Sequence, residues 1–117
     1  MIERKKLSVV VSVYNEEEAL DAFYNTTAPV LADCGWNYEL IFVNDGSTDR
    51  SLALLEEFAQ KNRRVKVISF SRNFGHEAAM IAGIDHATGD GVVCMDAVFS
   101  FLRDFYSAFQ NGLTMNE

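Results

Sequence analysis

The feature that most constrains this chain is a repeated alternation of short, valine-rich runs with longer stretches of helical periodicity. Leu7 to Val13 is almost continuously apolar, the pattern of a strand covered on both faces inside a parallel sheet. It breaks at Tyr14-Asn15-Glu16, where Asn15 and Glu18 have the spacing of a capping box. A helix is therefore predicted from about 16 to 32, with Leu20, Phe23, Tyr24 and Thr27 on one face and Gly35 marking its exit. Tyr38 to Val43 repeats the strand pattern and ends in the turn-forming cluster Asn44-Asp45-Gly46-Ser47. The same reading predicts a helix over 49–61 carrying Leu52, Leu55, Phe58 and Ala59, a strand over 65–70, a helix over 75–87, and a strand over 91–95 that leads into Asp96. Connections this short between strand and helix require right-handed crossovers, which predicts an α/β fold: a parallel sheet with helices on both faces.

The formal charge of −7 excludes a general nucleic-acid-binding surface, which needs clustered cations against the phosphate backbone. Arg4, Lys5 and Lys6 form the one basic cluster at the start of the chain and are read as a solvated lead-in to the first strand. Cys34 and Cys94 have neither metal-ligand spacing nor the pattern of a disulfide framework, so both are expected as buried or idle thiols in a reducing compartment. No apolar run has the length of a membrane span, and no signal peptide is recognisable, so a cytoplasmic location is expected.

In an open parallel sheet, ligands bind beyond the carboxyl ends of the strands. Those ends here carry Ser12, Tyr14, Asn15 and Glu16, then Asn44, Asp45 and Ser47, then Ser71, Arg72 and Asn73, then Asp96. Capping alone accounts for Asn15, Ser47 and Thr48. Asp45, Arg72 and Asp96 are charged groups at the margin of an apolar core and point to a ligand. A carboxylate such as Asp45 accepts an imide N–H, Tyr14 offers an aromatic face to a base, Asp96 can hold a divalent cation, and Arg72 has the donor fork for phosphate oxygens. Neither a Walker loop nor G-x-G-x-x-G follows the first strand, which counts against a P-loop or dinucleotide site. His76 is placed at a helix start, where it could face phosphate, and His86 at a helix end, favourably placed on the dipole.

Ser-Val-Val-Val-Ser-Val-Tyr-Asn-Glu-Glu-Glu (8–18), Val-Asn-Asp-Gly-Ser-Thr-Asp (43–49), Ser-Arg-Asn-Phe-Gly (71–75) and Ala-Gly-Ile-Asp-His-Ala-Thr-Gly-Asp (82–90) resemble the family 2 glycosyltransferases. The resemblance is greatest to the polyprenyl-phosphate (bactoprenol) glucosyltransferases and the dolichyl-phosphate mannose synthases. It spans roughly residues 7–97 and implies the nucleotide-binding half of a GT-A, Rossmann-like fold. It also implies a nucleotide sugar as ligand, a UDP-sugar more than a GDP-sugar, with Mg2+ or Mn2+ as cofactor. By that resemblance Ser12, Tyr14 and Glu16 line the nucleotide pocket, Asp45 binds the base, Arg72 lies near the phosphates, and Asp96 is the first acid of a D-x-D metal motif. Two positions depart from the pattern: Val98 stands where the second acid is expected, weakening the metal site, and Ser12 where many members have proline.

The resemblance stops at residue 97, and 98–117 reads as a separate Phe-rich tail in which Phe101, Leu102, Phe105 and Phe109 have helical spacing. Its apolar face is expected to dock within the chain, in a homodimer, or less readily on a membrane. The acceptor-binding half and its carboxylate are missing from the sequence, so a truncated chain with little transfer activity is expected, the lipid acceptor belonging to the full-length relative. The alternative is a non-catalytic nucleotide-binding or homodimerising module. A receiver-like signalling domain also carries acids at strand ends, but needs a lysine beyond a fifth strand.

Overall fold

The computed structural model describes residues 5–96, the last of them by its backbone alone. Seven elements follow in strict alternation: β1 (Lys6–Val13), α1 (Glu17–Ala32), β2 (Asn37–Asn44), α2 (Ser51–Lys61), β3 (Val65–Ser69), α3 (His76–His86) and β4 (Gly91–Asp96). All strand pairs are parallel, in the order β3-β2-β1-β4. The chain steps outward through β2 and β3, then returns across β1 to place β4 on the far side. A constant crossover hand then forces the return helix onto the opposite face. Accordingly α1 and α2 pack on one face and α3 on the other. The predicted α/β class, the parallel sheet and the helices on both faces are all present. The Phe-rich tail, Val98 and Arg4 lie outside the described residues.

The period-two alternation of β1 explains how the layers differ. Leu7, Val9, Val11 and Val13 join Leu40 and Phe42 of β2, Leu20, Phe23 and Leu31 of α1, and Leu55 and Phe58 of α2 in the larger core. Phe42 is met by Phe23 edge-on at 6.1 Å and by Phe58 at 6.0 Å, and Tyr24 stacks on Phe58 at 4.2 Å. On the opposite face Val10, Ile41, Val43 and Ala79 form a thinner layer under α3. Gly83 allows that helix to lie close, since a Cβ there would collide with the Val10 side chain.

The α3 face also buries a charge. Glu39, 1% exposed, accepts from the Ser8 hydroxyl at 2.6 Å, the Thr88 amide at 2.7 Å and the Lys66 ammonium at 2.5 Å, with the Lys6 ammonium 3.6 Å away. Ser8 Oγ in turn accepts from the Gly89 amide, so this network ties the α3–β4 turn to the starts of β1 and β2. Burial pushes the Glu39 carboxyl up, but the bonds from Lys66, Ser8 and Thr88 and the charge of Lys6 outweigh it and hold the pKa at about 2, against an ordinary 4.5. A carboxylate with a depressed folded-state pKa stabilises the fold above its unfolded value and loses that contribution as the pH falls. Urea unfolding of the wild type should therefore lose on the order of 2–3 kcal/mol between about pH 4.5 and pH 2 through this group. Glu39→Gln should start about 2 kcal/mol lower at pH 7 and show a flatter acid arm, and equal acid sensitivity in both proteins would contradict the assignment.

Candidate functional site

The sites at the strand ends are held by bonds between neighbouring loops. Asn15 has a left-handed backbone at φ 52°, a conformation that asparagine tolerates. Its side chain does not cap α1, whose first flanking residue is Glu16, without a side-chain cap bond. Instead Asn15 Oδ1 accepts from the Thr48 amide at 2.8 Å, and the Asn15 amide donates to Ser47 Oγ at 3.0 Å. The Glu16 amide donates to Ser51 Oγ at 2.9 Å, the Glu17 amide to Asp49 Oδ2, and the Arg50 amide to Glu17 Oε1, both at 3.2 Å. The predicted capping box is thus replaced by a reciprocal cap between the loops that open α1 and α2. Capping does not account for Ser47 and Thr48 either, since α2 begins at Ser51 with Asp49 Oδ1 accepting the Ser51 amide at 2.8 Å. Burial pushes the Asp49 carboxyl up, but the Ser51 hydroxyl and amide and the Glu17 amide outweigh it and hold it below the usual range.

A second set of bonds fixes the β3–α3 loop. Asp45, 3% exposed, leaves the end of β2 with its amide on Val13 O. Its carboxylate accepts from the Phe74 amide at 2.7 Å, the Gly75 amide at 3.0 and 3.3 Å, and Asn73 Nδ2 at 3.2 Å. Gly46 follows at φ 71°, and a Cβ on it would overlap the backbone of Arg72 and Asn73. This glycine is required by both conformation and space.

Between these loops lies a cleft of about 240 Å³ lined by Ser12, Tyr14, Asp45, Asn73, Gly75 and His76. Tyr14 is 48% exposed, leaving much of its ring open to a ligand, and Ser12 Oγ lies 3.0 Å from His76 Nδ1, the direction of that bond following the imidazole tautomer. The cleft sits at the carboxyl ends of β1 and β2, beside the point where the chain reverses from β3 to β4, the usual place for a ligand in such a sheet. Register pairing sets Ser12 opposite Asp96 on β4.

Of the residues expected at the site, the structure gathers Ser12, Tyr14 and Asp45 around one cleft and brings the backbone of Asp96 alongside. Glu16 lies in the α1 cap, outside the cleft lining. Arg72 is exposed, its guanidinium 4.7 Å over the Phe74 ring, and is likewise outside the lining. His76, given a lesser role from sequence, is a wall of the cleft, as are Asn73 and Gly75. Asn73 stands among the strand-end residues read from the sequence, and Gly75 closes the same Ser-Arg-Asn-Phe-Gly segment. Neither cysteine is in a disulfide; Cys34 is half-buried and Cys94 exposed.

The cation expected from the resemblance can be tested against the donors. Among the described residues no group of three or more His, Cys, Asp or Glu side chains could hold a metal, and the Asp45 carboxylate is already occupied by N–H donors. Asp96, the ligand that the resemblance implies, is described by its backbone alone. One or two carboxylates suffice for Mg2+ when substrate phosphates supply further oxygens, so one acid at this position fits a cation that arrives with a diphosphate.

Residues 8–111 match glycosyl transferase family 2. The chain belongs to that family. It is 50% identical over 90 residues to the uncharacterized glycosyltransferase YkcC of Bacillus subtilis, covering 77% of this chain and 28% of that protein. It is 43% identical over 91 residues to the prophage bactoprenol glucosyl transferase homolog of Escherichia coli, covering 78% and 30% respectively. Among solved structures, the mannosyltransferase PcManGT of Pyrobaculum calidifontis, in complex with GDP-Man and Mn2+, superposes with a TM-score of 0.61 at 28% identity over 81% of this chain and 28% of that one. Staphylococcus aureus TarS 1-349 in complex with UDP-GlcNAc gives 0.66 at 25% identity over 91% and 31%. The chain thus spans about a third or less of the length of these relatives.

Removing the Asp45 charge should release the loop. In Asp45→Asn the Phe74 and Gly75 amides lose a charged acceptor, a cost of about 1–3 kcal/mol. Amide hydrogen exchange at these two positions should rise at least tenfold relative to the β1 amides, and unchanged protection would refute the clamp.

Proposed function

We propose that this chain binds a nucleoside diphosphate sugar in the cleft between Tyr14 and the loop 73–76, and that the longer protein of this family transfers the sugar to a polyprenyl phosphate. The observation that carries the reading is the cleft itself: an aromatic ring, a nearly buried carboxylate and the Ser12–His76 pair together at the carboxyl ends of β1 and β2, beside the switch point of a parallel sheet. Asp45 accepts from three donors, Asn73, Phe74 and Gly75, the Gly75 amide being shared between its two oxygens. The longer of the two Gly75 contacts, at 3.3 Å, is the one that yields to the imide N–H of a base stacked on Tyr14. The likeness to the bactoprenol glucosyl transferase homolog and to TarS, with its UDP-GlcNAc, favours a UDP-sugar over a GDP-sugar. The nucleotide sugars bound by PcManGT and TarS support the ligand class, and the bactoprenol name of the Escherichia coli relative supports the acceptor.

The base and ribose occupy the cleft, and the diphosphate extends toward the end of β4. Asp96 would hold the Mg2+ or Mn2+ there, and that ion, when bound, supplies electrostatic stabilisation of the departing diphosphate. With no second acid at position 98, the chain's own hold on the ion is weak. Arg72, kept against Phe74 just outside the cleft, is the candidate to meet phosphate oxygens. Glu16 acts indirectly, by fixing the loop that presents Tyr14. We place the protein in the cytoplasm, where Cys34 and Cys94 remain thiols.

Calorimetry with UDP and with GDP, each with and without Mn2+, tests the reading. UDP should bind more tightly than GDP, and Tyr14→Ala should weaken UDP about tenfold through the lost stacking. Absence of binding at millimolar nucleotide would overturn the proposal.

A further inference from the structure

Seven of the ten Lys and Arg residues fall in two short segments, 4–6 and 61–66, and six of them, Lys5, Lys6, Lys61, Arg63, Arg64 and Lys66, lie among the described residues. Strand pairing brings both to the amino end of the sheet, with Lys6 opposite Asn37 and Val65 opposite Leu40. There they border a cleft of about 370 Å³ whose walls include Lys6, Glu39, Arg63, Arg64 and Lys66. Four cations against one carboxylate leave a formal +3 around this cleft, in a chain whose net charge is −7. Asp90 stands behind it, accepting the Lys6 amide at 2.9 Å, and is not part of the lining.

The cationic side chains are positioned rather than scattered. Lys66 and Lys6 share the single Glu39 charge at 2.5 and 3.6 Å. Arg64 donates to Tyr38 O at 3.3 Å and lies 5.1 Å over the Tyr38 ring, which fixes its donor fork. Arg63 is exposed and forms no ion pair among the described residues. One carboxylate cannot neutralise this group, so an anion is favoured. Phosphate fits best, because its oxygens match the arginine fork and it carries one negative charge as a diester and close to two as a monoester.

We propose that this cleft is a second anion site that takes a phosphate-bearing ligand. It lies a strand's length, roughly 20 Å, from the nucleotide cleft, so the two sites can be filled together. The phosphate can belong to a soluble phosphoester or to a lipid headgroup.

Inorganic pyrophosphate, which has no base to engage Tyr14, serves as the soluble probe. Vesicles of phosphatidylglycerol and phosphatidylcholine, compared with phosphatidylcholine alone, serve as the lipid probe. With the 117-residue chain, at least one probe should bind, should still bind at saturating UDP, and should weaken at least tenfold in Arg63→Glu and progressively with added salt. Arg63 is a surface residue, and an unchanged thermal melt of the variant separates lost charge from lost fold. Pyrophosphate binding alone supports a soluble phosphoester, vesicle binding alone supports a lipid headgroup, and binding of both supports the site for either. Failure of both probes, binding unaffected by Arg63→Glu, or displacement by UDP would overturn the proposal.

Discussion

The carboxylate of Asp45, almost wholly withdrawn from water and bonded to the Phe74 and Gly75 amides, is the interaction on which the candidate site depends. Buried charge is tolerable when donors surround it, and here the donors belong to a loop with no strand partner of its own. The bond therefore does two things. It solvates the anion with backbone N–H groups, and it sets the loop 73–76 opposite Tyr14, which leaves a cleft between them. Gly46 completes the arrangement by letting the Arg72 and Asn73 backbone pass where a side chain would stand.

Around that clamp, neighbouring loops restrain one another. The amides of Asn15, Glu16 and Glu17 find acceptors on Ser47, Ser51 and Asp49, while Asn15 and Glu17 accept in return from Thr48 and Arg50. Orphan amides at two helix starts are satisfied together, which couples the ends of β1 and β2 into one rim. At the opposite end of the sheet, Glu39 does the corresponding work for the α3–β4 turn, with Ser8, Thr88 and two lysines around it. The fold is thus a hydrophobic sandwich closed at each end by a nearly buried carboxylate.

The order of elements was legible because a strand covered on both faces has to be largely apolar, and Leu7–Val13 and Tyr38–Val43 are, with only Ser8, Ser12 and Glu39 interrupting them. Their boundaries fell within two residues of the observed elements, α2 starting at Ser51 rather than Asp49. The site was legible in part. Ser12, Tyr14 and Asp45 follow from strand ends, which periodicity locates well. What the sequence could not convey was partnership between loops about thirty residues apart: Asn15 looks like a local cap and instead bonds Thr48. Nor could it separate Arg72, turned onto Phe74, from Asn73 and His76, which face the cleft, since in an irregular loop no periodicity says which way a side chain points. Glu39, inside a strand pattern, carried no sign that Lys66 and Lys6 would meet it.

Amide chemical-shift mapping of the 117-residue chain during a UDP titration tests the central claim most directly, because it reports where the nucleotide sits. The account predicts that the largest changes fall on Tyr14, Asp45 and residues 73–76, with β3 and the amino ends of the strands unmoved. Changes centred anywhere else would contradict it.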